Sequence, residues 1–314
     1  MKNNIKIDRD QKKILIIGAN GFLGTNLIQY RDRNRKIYQD YFFIAADLQN
    51  NNVEKAIPFH FIDITNHEST YKKIVKISPD IIILTAAMTD VDQNEIDKDL
   101  AIRINTEGPK NVLAACKKTN SKLIFMSTDF VFDGKKQGNY SENDLPNPLS
   151  HYAKTKYDAE QAIINSEVDY LICRTAVLYG WNPIKLNFIT WLLEKLQNNE
   201  KLKIVTNQIN NPTYVKNLAE IILKMIEKNS KGIYHTAGNG ALSRYEMALK
   251  CAEIFNFNKN LITPINNIEQ KALRPENAGL DITKLKQLIG TDISVYSLEE
   301  GLRDMKNNHN FLYE

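Results

Sequence analysis

The sequence contains few residues that could crosslink it or bind a metal. Its three cysteines, Cys116, Cys173 and Cys251, lie far apart in 314 residues and form no CxxC pair. An odd number of cysteines in apolar stretches argues against a disulfide framework and predicts buried, reduced thiols. The five histidines, which have no ligand spacing, are His60, His67, His151, His235 and His309. The sequence therefore predicts no metal site.

Long apolar runs, a dominant charge and internal repeats are also missing. No apolar stretch approaches the length of a membrane-spanning helix, and Met1 to Lys13 form a polar segment without the apolar core of a signal peptide. The 41 Lys and Arg residues are interspersed with 37 Asp and Glu residues, which is typical of a solvated surface and not of a nucleic-acid-binding face. We therefore expect a cytoplasmic protein that binds neither nucleic acid nor membranes.

Short β-branched runs alternate with helical patterns through the first half of the chain. Apolar runs at 13–17, 42–46, 81–84, 123–126 and 171–174 predict buried strands, and the stretches 21–30, 96–118 and 151–165 predict helices. Pro109 should kink the second of these helices or lie near its bend. Strands that alternate with helices in this way indicate an α/β protein with a parallel sheet.

We predict a Rossmann-like, doubly wound parallel sheet with a smaller C-terminal substrate-binding lobe. The expected organisation is a polar tail over 1–12, a dinucleotide-binding Rossmann domain over 13–180 and a lobe over 181–314 that is interleaved with it. The hydrophobic content of 43% and charged content of 25% are ordinary values for such a globular chain.

A glycine-rich turn follows the first predicted strand. The segment GANGFLG, from Gly18 to Gly24, opens a helix, as in proteins that bring backbone amides close to a pyrophosphate. A tight βα turn without a ligand can have the same glycines. Asp47 ends the second strand where an acid takes the ribose hydroxyls, which favours NAD(H) over NADP(H). Three basic residues that could still reach a 2′-phosphate leave NADP(H) open: Arg31, Arg33 and Arg35.

A tyrosine and a lysine lie four residues apart on the helix predicted at 151–165. Tyr152 and Lys156 therefore share one helix face, and the ammonium is expected to lower the tyrosine pKa and fit the phenol for proton transfer to a carbonyl oxygen. Thr128, at the end of an upstream strand, could polarise the same oxygen. The pair could also lie on a solvated helix face without any function. A hydroxyl at a strand end, in a chain that also has a dinucleotide-binding turn, favours a carbonyl reductase.

At this point the chain resembles the extended short-chain dehydrogenases/reductases. Within them it is similar to the dTDP-4-dehydrorhamnose reductase family and to its relative, the regulatory β subunit of methionine adenosyltransferase. The resemblance runs nearly end to end and rests on ordered motifs: GANGFLG at Gly18, RINTEGPKNVLAAC at Arg103, MSTDFVFDG at Met126, HYAKTKYDAE at His151 and RPENAGLD at Arg274.

The resemblance implies roles for individual residues. Thr128 would hydrogen-bond the substrate carbonyl, Tyr152 would donate the proton, Lys156 would hold the nicotinamide ribose, and Asn105 would support that lysine. Besides Tyr152 and Lys156, the implied cofactor contacts are Gly18, Asn20, Gly21, Phe22, Leu23, Gly24, Asp47, Asp63, Ile64, Ala86, Ala87, Thr89, Ala176 and Val177. The implied substrate contacts are Thr89, Val91, Phe130, Asn187 and Arg274.

Three segments depart from the family pattern in ways that bear on the substrate. Phe130 replaces the tyrosine of STDYVF, and Val177 replaces the tryptophan of RTSWVYG, so a phenol and an indole N–H are missing. The family motif DQxGxPT reads NQINNPT at 207–213.

These departures leave three functions open. The first is an NAD(P)H-dependent reductase of a 4-keto nucleotide-sugar, with dTDP-4-dehydrorhamnose as the default substrate. The second is a non-catalytic regulatory subunit that binds NAD(P), and the third is a nucleotide-sugar epimerase or dehydratase. The sequence predicts a nucleotide-linked sugar as partner and leaves the oligomeric state open, a homodimer included.

Overall fold

A computed structural model describes residues 11–50, 57–182 and 185–308 of the chain. Residues 1–10 of the predicted polar tail, and His309, lie outside the described residues. The strands are β1 Lys12–Ile17, β2 Tyr41–Asp47, β3 Phe59–Phe61, β4 Ile81–Leu84, β5 Lys122–Thr128, β6 Tyr170–Thr175, β7 Leu178–Tyr179, β8 Leu202–Val205, β9 Ile209–Asn210, β10 Thr213–Tyr214, β11 Gly232–His235, β12 Leu242–Ser243 and β13 Ile262–Ile265.

Helices cover both faces of the main sheet and fill the C-terminal part. They are α1 Phe22–Arg33, α2 His67–Ile77, α3 Val91–Ile96, α4 Lys98–Ile102, α5 Gly108–Thr119, α6 His151–Ile164, α7 Phe188–Gln197, α8 Val215–Glu227, α9 Arg244–Phe255, α10 Thr283–Ile289 and α11 Leu298–Asn307. In the described part of the chain, no helix has both the length and the apolar character needed to cross a membrane.

Seven parallel strands form the central sheet in the order β11-β6-β5-β4-β1-β2-β3. The prediction of a Rossmann-like α/β fold is confirmed. The apolar run of β1 is buried on both sides, since Ile14 and Ile16 enter one hydrophobic cluster while Leu15 and Ile17 enter the other. Continuous burial explains why the sequence of this strand lacks a polar alternation.

The C-terminal part of the chain packs around an apolar cluster outside the main sheet and also adds a strand to that sheet. Three two-stranded sheets, β10-β7, β12-β9 and β13-β8, lie outside the central one. A third apolar cluster includes Ile189 and Leu193 of α7, Met247 of α9 and Leu302 of α11. The seventh strand of the main sheet, β11, comes from the same half of the chain and pairs with β6.

The helix predicted over 96–118 corresponds to one helical stretch from Lys98 to Thr119, made of α4, a π-helical turn and α5. Asp97 ends α3 and caps α4, where its carboxylate accepts a hydrogen bond from the amide of Leu100 at 3.0 Å. Arg103–Glu107 then forms a π-helical turn before α5. Pro109 comes two residues after this turn, so the irregularity of the helix lies beside the proline, as expected.

Candidate functional site

The turn after β1 brings backbone segments into close contact. Gly18 has a φ of 93°, and a Cβ there would lie 2.5 Å from the amide nitrogen of Ala86. A Cβ on Gly24 would lie 2.2 Å from the carbonyl oxygen of Gly18. Glycine is therefore required at both positions, because any side chain would push the β4 loop or the helix away.

The N-terminus of α1 has the features of an anion-binding site. Gly21 is the N-cap, and among the described residues no side chain caps it and no acid occupies the first turn. The first amides of a helix lack intrahelical partners and carry the positive end of the dipole. A pyrophosphate therefore fits at this end of α1, which lies beside the implied contacts Asn20, Phe22 and Leu23.

Asp47 lies beside this turn, at the carboxyl end of β2. Its carboxylate accepts hydrogen bonds from the amide of Asn20 at 2.9 Å and from the amide of Leu48 at 2.7 Å. The two amides fix the carboxylate next to the glycine turn, in the position from which an acid can reach a ribose. Its contact with the ribose remains a prediction.

The loops that follow β3 and β4 lie at the same carboxyl end of the sheet as the Gly18 turn. Asp63 is exposed after β3, and its carboxylate accepts hydrogen bonds from the amide and hydroxyl of Thr65 at 2.9 Å and 2.7 Å. Ile64 is buried against Gly108, where a Cβ would lie 2.6 Å from the Ile64 side chain. Ala86 and Ala87 are half-buried and Thr89 is exposed in the loop after β4.

Asn105 holds the β4 loop from the π-helical turn. Its side chain accepts a hydrogen bond from the amide of Met88 at 2.8 Å and donates one to the carbonyl oxygen of Met88 at 3.0 Å. It also donates to Asn94 at 3.0 Å and to the hydroxyl of Thr155 at 3.3 Å. The structure thus connects Asn105 to α6 through Thr155, the neighbour of Lys156, while its support of that lysine remains a prediction.

Thr128 and Tyr152 contact each other where β5 ends and α6 begins. Ser150 caps α6, which puts Tyr152 in its first turn and Lys156 one turn later. Burial, and then the charge of Asp129, raise the pKa of Tyr152 to about 12, although a hydrogen bond with Thr128 lowers it. The expectation that Lys156 lowers this pKa is wrong for this structure, because desolvation of the phenolate dominates.

Lys156 is only 3% exposed, and its ammonium packs on an aromatic ring. The Nζ atom lies 4.1 Å from the centroid of the Phe125 ring. Burial lowers the pKa of Lys156 to about 7, and the negative charge of Glu160 one turn later opposes this shift. The Lys156 side chain therefore gains or loses its proton near neutral pH and is not fully charged there.

A buried carboxyl group adjoins Thr128. Asp129 follows Thr128 directly and is 3% exposed. Its Oδ1 atom lies 3.1 Å from the Thr128 hydroxyl, and its Oδ2 atom accepts a hydrogen bond from the Asn210 side chain at 2.6 Å. No role for Asp129 was predicted from the sequence. Its position next to Thr128 at a strand end was the signal that could have found it.

The implied substrate residues lie in different settings. Phe130 is buried in a short 3-10 turn, and Asn187 uses its side chain to cap α7 and to donate to the carbonyl oxygen of Gly180. Val91 begins α3. Arg274 forms a bidentate ion pair with Asp92, with N···O distances of 3.1 Å and 2.9 Å. The structure thus joins the C-terminal loop to α3, a contact that the sequence analysis missed.

Val177 has a strained backbone beside Ala176, which is buried. Its φ of 43° lies in the left-handed region, where β-branched residues are rare. The carbonyl oxygen of Val177 accepts a hydrogen bond from the amide of Thr213 at 3.0 Å, which helps to hold this conformation. Such strain is concentrated at functional sites in proteins.

The described residues contain no group of three or more His, Cys, Asp or Glu side chains that could hold a metal ion. The three cysteines are buried and free.

The chain is similar to known proteins along most of its length. The family profile described as RmlD substrate binding domain matches residues 12–310. The dTDP-4-dehydrorhamnose reductase of Aggregatibacter actinomycetemcomitans is 32% identical over 291 residues, which cover 88% of this chain and 93% of that protein. Methionine adenosyltransferase 2 subunit beta of Rattus norvegicus is 30% identical over 292 residues, which cover 90% of this chain and 84% of that protein.

A solved structure extends this similarity to three dimensions. The dTDP-4-dehydrorhamnose reductase of Bacillus anthracis, crystallised in complex with NADP, superposes with a TM-score of 0.83 at 31% identity. The match covers 95% of this chain and 99% of that one. Both relatives suggested by the sequence motifs are therefore among the similar proteins.

Proposed function

Because the chain belongs to the RmlD substrate-binding domain family, we propose that it reduces the 4-keto group of a nucleotide-linked deoxysugar with NAD(P)H. The default substrate is dTDP-4-dehydrorhamnose and the product is dTDP-rhamnose. The observation that carries this proposal is the meeting of Thr128 and Tyr152 at the sheet edge that also holds the Gly18 turn. A reductase needs its proton donor and its dinucleotide at the same end of the sheet, where the carboxyl ends of the strands lie.

The residues present fit a nicotinamide dinucleotide. The uncapped end of α1 would take the pyrophosphate, Asp47 the adenosine ribose, and Lys156 the nicotinamide ribose. When bound, the reduced cofactor supplies the hydride for the carbonyl carbon. Tyr152 holds the proton that goes to the carbonyl oxygen, and Thr128 hydrogen-bonds the same oxygen.

The proposal includes a preference for NAD(H). The fixed carboxylate of Asp47 would repel a 2′-phosphate. Arg31, which could bind such a phosphate, already pairs with Asp32 at 2.5 Å and lies 5.3 Å from the Phe43 ring centroid. The NADP of the Bacillus anthracis relative makes this the sharpest expected difference between the two proteins. Titration with NADH and NADPH, in wild type and in Asp47→Ala, tests the preference.

The test of the reaction is direct. Purified protein is given dTDP-4-dehydrorhamnose with NADH or NADPH, and the loss of reduced nicotinamide absorbance is followed. Tyr152→Phe should lose roughly 10²- to 10⁴-fold in rate, because it removes the proton donor. Tyr157→Phe, the same change on the same helix, should keep the wild-type rate. Absence of turnover by wild type with this sugar and with related 4-keto sugar nucleotides would overturn the proposal.

A regulatory role is the second candidate. It is favoured by the similarity to methionine adenosyltransferase 2 subunit beta and by Phe130 and Val177, which replace two polar side chains of the reductase pattern. In that case the chain would keep its dinucleotide and form a complex with a methionine adenosyltransferase. Co-elution with that enzyme, together with no sugar reduction, would support this role over the reductase.

The cellular setting is part of the proposal. Three free, buried cysteines fit a reducing compartment, where disulfides are rare. We therefore assign the reaction to the cytoplasm, and cell fractionation with an antibody against the chain tests the assignment.

A further inference from the structure

Asp129 lies between the catalytic threonine and the C-terminal lobe. It accepts from Asn210 of β9 at 2.6 Å on one oxygen and contacts the Thr128 hydroxyl at 3.1 Å on the other. Asp129 and Asn210 are only 3% and 2% exposed. Both carboxyl oxygens are therefore engaged inside the protein, where solvent cannot replace a lost partner.

Two ionisable side chains face this carboxyl group. Tyr152 of α6 is close enough for the charge of Asp129 to raise its pKa. Arg244, at the start of α9, lowers the pKa of Asp129, as do the hydrogen bonds from Asn210 and Thr128. Burial outweighs all three and raises the pKa of Asp129 to about 6. The group therefore changes its charge close to neutral pH.

The charge of Asp129 decides where the Thr128 proton points. A hydroxyl has one proton to donate, and an ionised carboxylate can only accept. When Asp129 is ionised, Thr128 donates to it and has no proton for a substrate oxygen. When Asp129 is protonated, it can donate to the Thr128 oxygen, which releases the Thr128 proton toward the substrate.

We propose that Asp129 is a positioning residue whose proton directs the Thr128 hydroxyl toward the substrate carbonyl, and that Asn210 holds it in place. This inference rests on the proposed carbonyl reduction. Asn210 occupies the glycine position of the DQxGxPT motif, and a glycine has no side chain with which to hold the carboxyl group. The arrangement therefore depends on a residue in which this chain departs from the family pattern.

The first test is Asp129→Asn. The new amide can accept from Asn210 through its oxygen and donate to Thr128 through its nitrogen, which reproduces the protonated acid at every pH. In wild type, kcat/KM for the ketone should fall about tenfold per pH unit above roughly pH 6, until Tyr152 acts alone. In Asp129→Asn it should be flat from about pH 5 to pH 8, and about 100-fold above wild type at pH 8.

Two further variants separate positioning from folding. Asn210→Gly removes a hydrogen bond that lowers the pKa of Asp129, so the wild-type transition should move to higher pH. Thr128→Val should keep a residual rate without this transition, because no hydroxyl remains to be directed. Asp133→Asn, the same change four residues further on, should retain the wild-type profile.

Infrared difference spectroscopy gives a readout that is independent of turnover. A protonated carboxyl band should titrate near pH 6 in wild type, disappear in Asp129→Asn and move to higher pH in Asn210→Gly. If Asp129→Asn fails to fold, Asn210→Gly carries the test alone.

The outcomes distinguish the two proposals. Turnover by wild type with an unchanged transition in Asp129→Asn or in Asn210→Gly would overturn the positioning role alone. No turnover by wild type at any pH would overturn the reductase and this role together, whatever the infrared band does.

Discussion

Glu160 and Arg174 form an ion pair inside the molecule, one helical turn from Lys156. Glu160 is fully buried and Arg174 is 2% exposed. The Arg174 guanidinium donates to both carboxylate oxygens of Glu160, at 3.0 Å and 2.7 Å. This fork geometry offsets the cost of desolvating two charges only while both partners are present.

Removing one partner should therefore destabilise the fold strongly. We expect Glu160→Gln to lose about 3–5 kcal/mol of unfolding free energy in urea, because an unpaired guanidinium remains buried. Asp158→Asn, on the same helix, breaks an exposed pair with Lys154 at 3.4 Å and should cost less than about 1 kcal/mol. Equal losses in the two variants would contradict this assignment.

The π-helical turn at Arg103–Glu107 is the element that positions the β4 loop. The extra residue of a π turn rotates side chains relative to an α-helix, and such turns are frequent at functional sites. Here the turn carries Asn105, which is 1% exposed and binds Met88 through both its amide and its carbonyl oxygen. The loop that would line the cofactor is therefore fastened from a neighbouring helix.

Loss of this side chain should loosen the loop. We expect Asn105→Ala to speed hydrogen exchange of the Met88 amide by roughly 5- to 150-fold, the equivalent of about 1–3 kcal/mol for buried hydrogen bonds. Mass spectrometry of exchanged peptides measures the effect. Asn111→Ala, on α5, leaves the Met88 contacts in place and should leave this rate unchanged, whereas equal exchange in both variants would refute the role of Asn105.

Across the whole molecule, β11 connects the C-terminal half to the main sheet. His235 ends this strand and is fully buried, with its backbone amide donating to Glu142 at 2.9 Å and its Nδ1 lying 3.2 Å from the carbonyl oxygen of Asp281. Burial and then the nearby charge of Arg174 lower the pKa of His235 to about 3. The folded state therefore keeps this ring neutral.

The stability of the molecule should depend on pH accordingly. Below the ordinary histidine pKa of about 6.5, His235 binds a proton in the unfolded chain but stays neutral in the folded chain. The free energy of unfolding should therefore fall as pH decreases toward 3. His235 should contribute up to about 1.4 kcal/mol per pH unit in this range. Urea unfolding at about pH 7 and pH 5 should show a smaller difference in His235→Gln than in wild type. His67→Gln, a change at an exposed position in α2, should show the same difference between the two pH values as wild type.

How much of this organisation could be predicted depends on the range of the interactions. The βα turn at Gly18 and the strands before and after it follow from local patterns, and their positions were predicted within a few residues. The contact of Asp129 with Asn210 could not be predicted, because it joins two loops that only the tertiary fold brings together. The helix predicted from residue 96 begins at Lys98 because Asp97 caps it, and the π-helical turn inside it was not predicted.

The pairing of β11 with β6 has a consequence for any attempt to isolate the dinucleotide-binding half. Gly232 to His235 lie beside Leu171 to Arg174, so β6 is an inner strand only while the C-terminal half is attached. A fragment that stops at residue 180 would present the backbone donors and acceptors of β6, with the buried Leu171 and Ile172, as an open sheet edge. Such an edge recruits strands from other copies. Expressed alone, this half would be prone to aggregation, and a usable cofactor-binding fragment would need β11 supplied in trans or fused after β6.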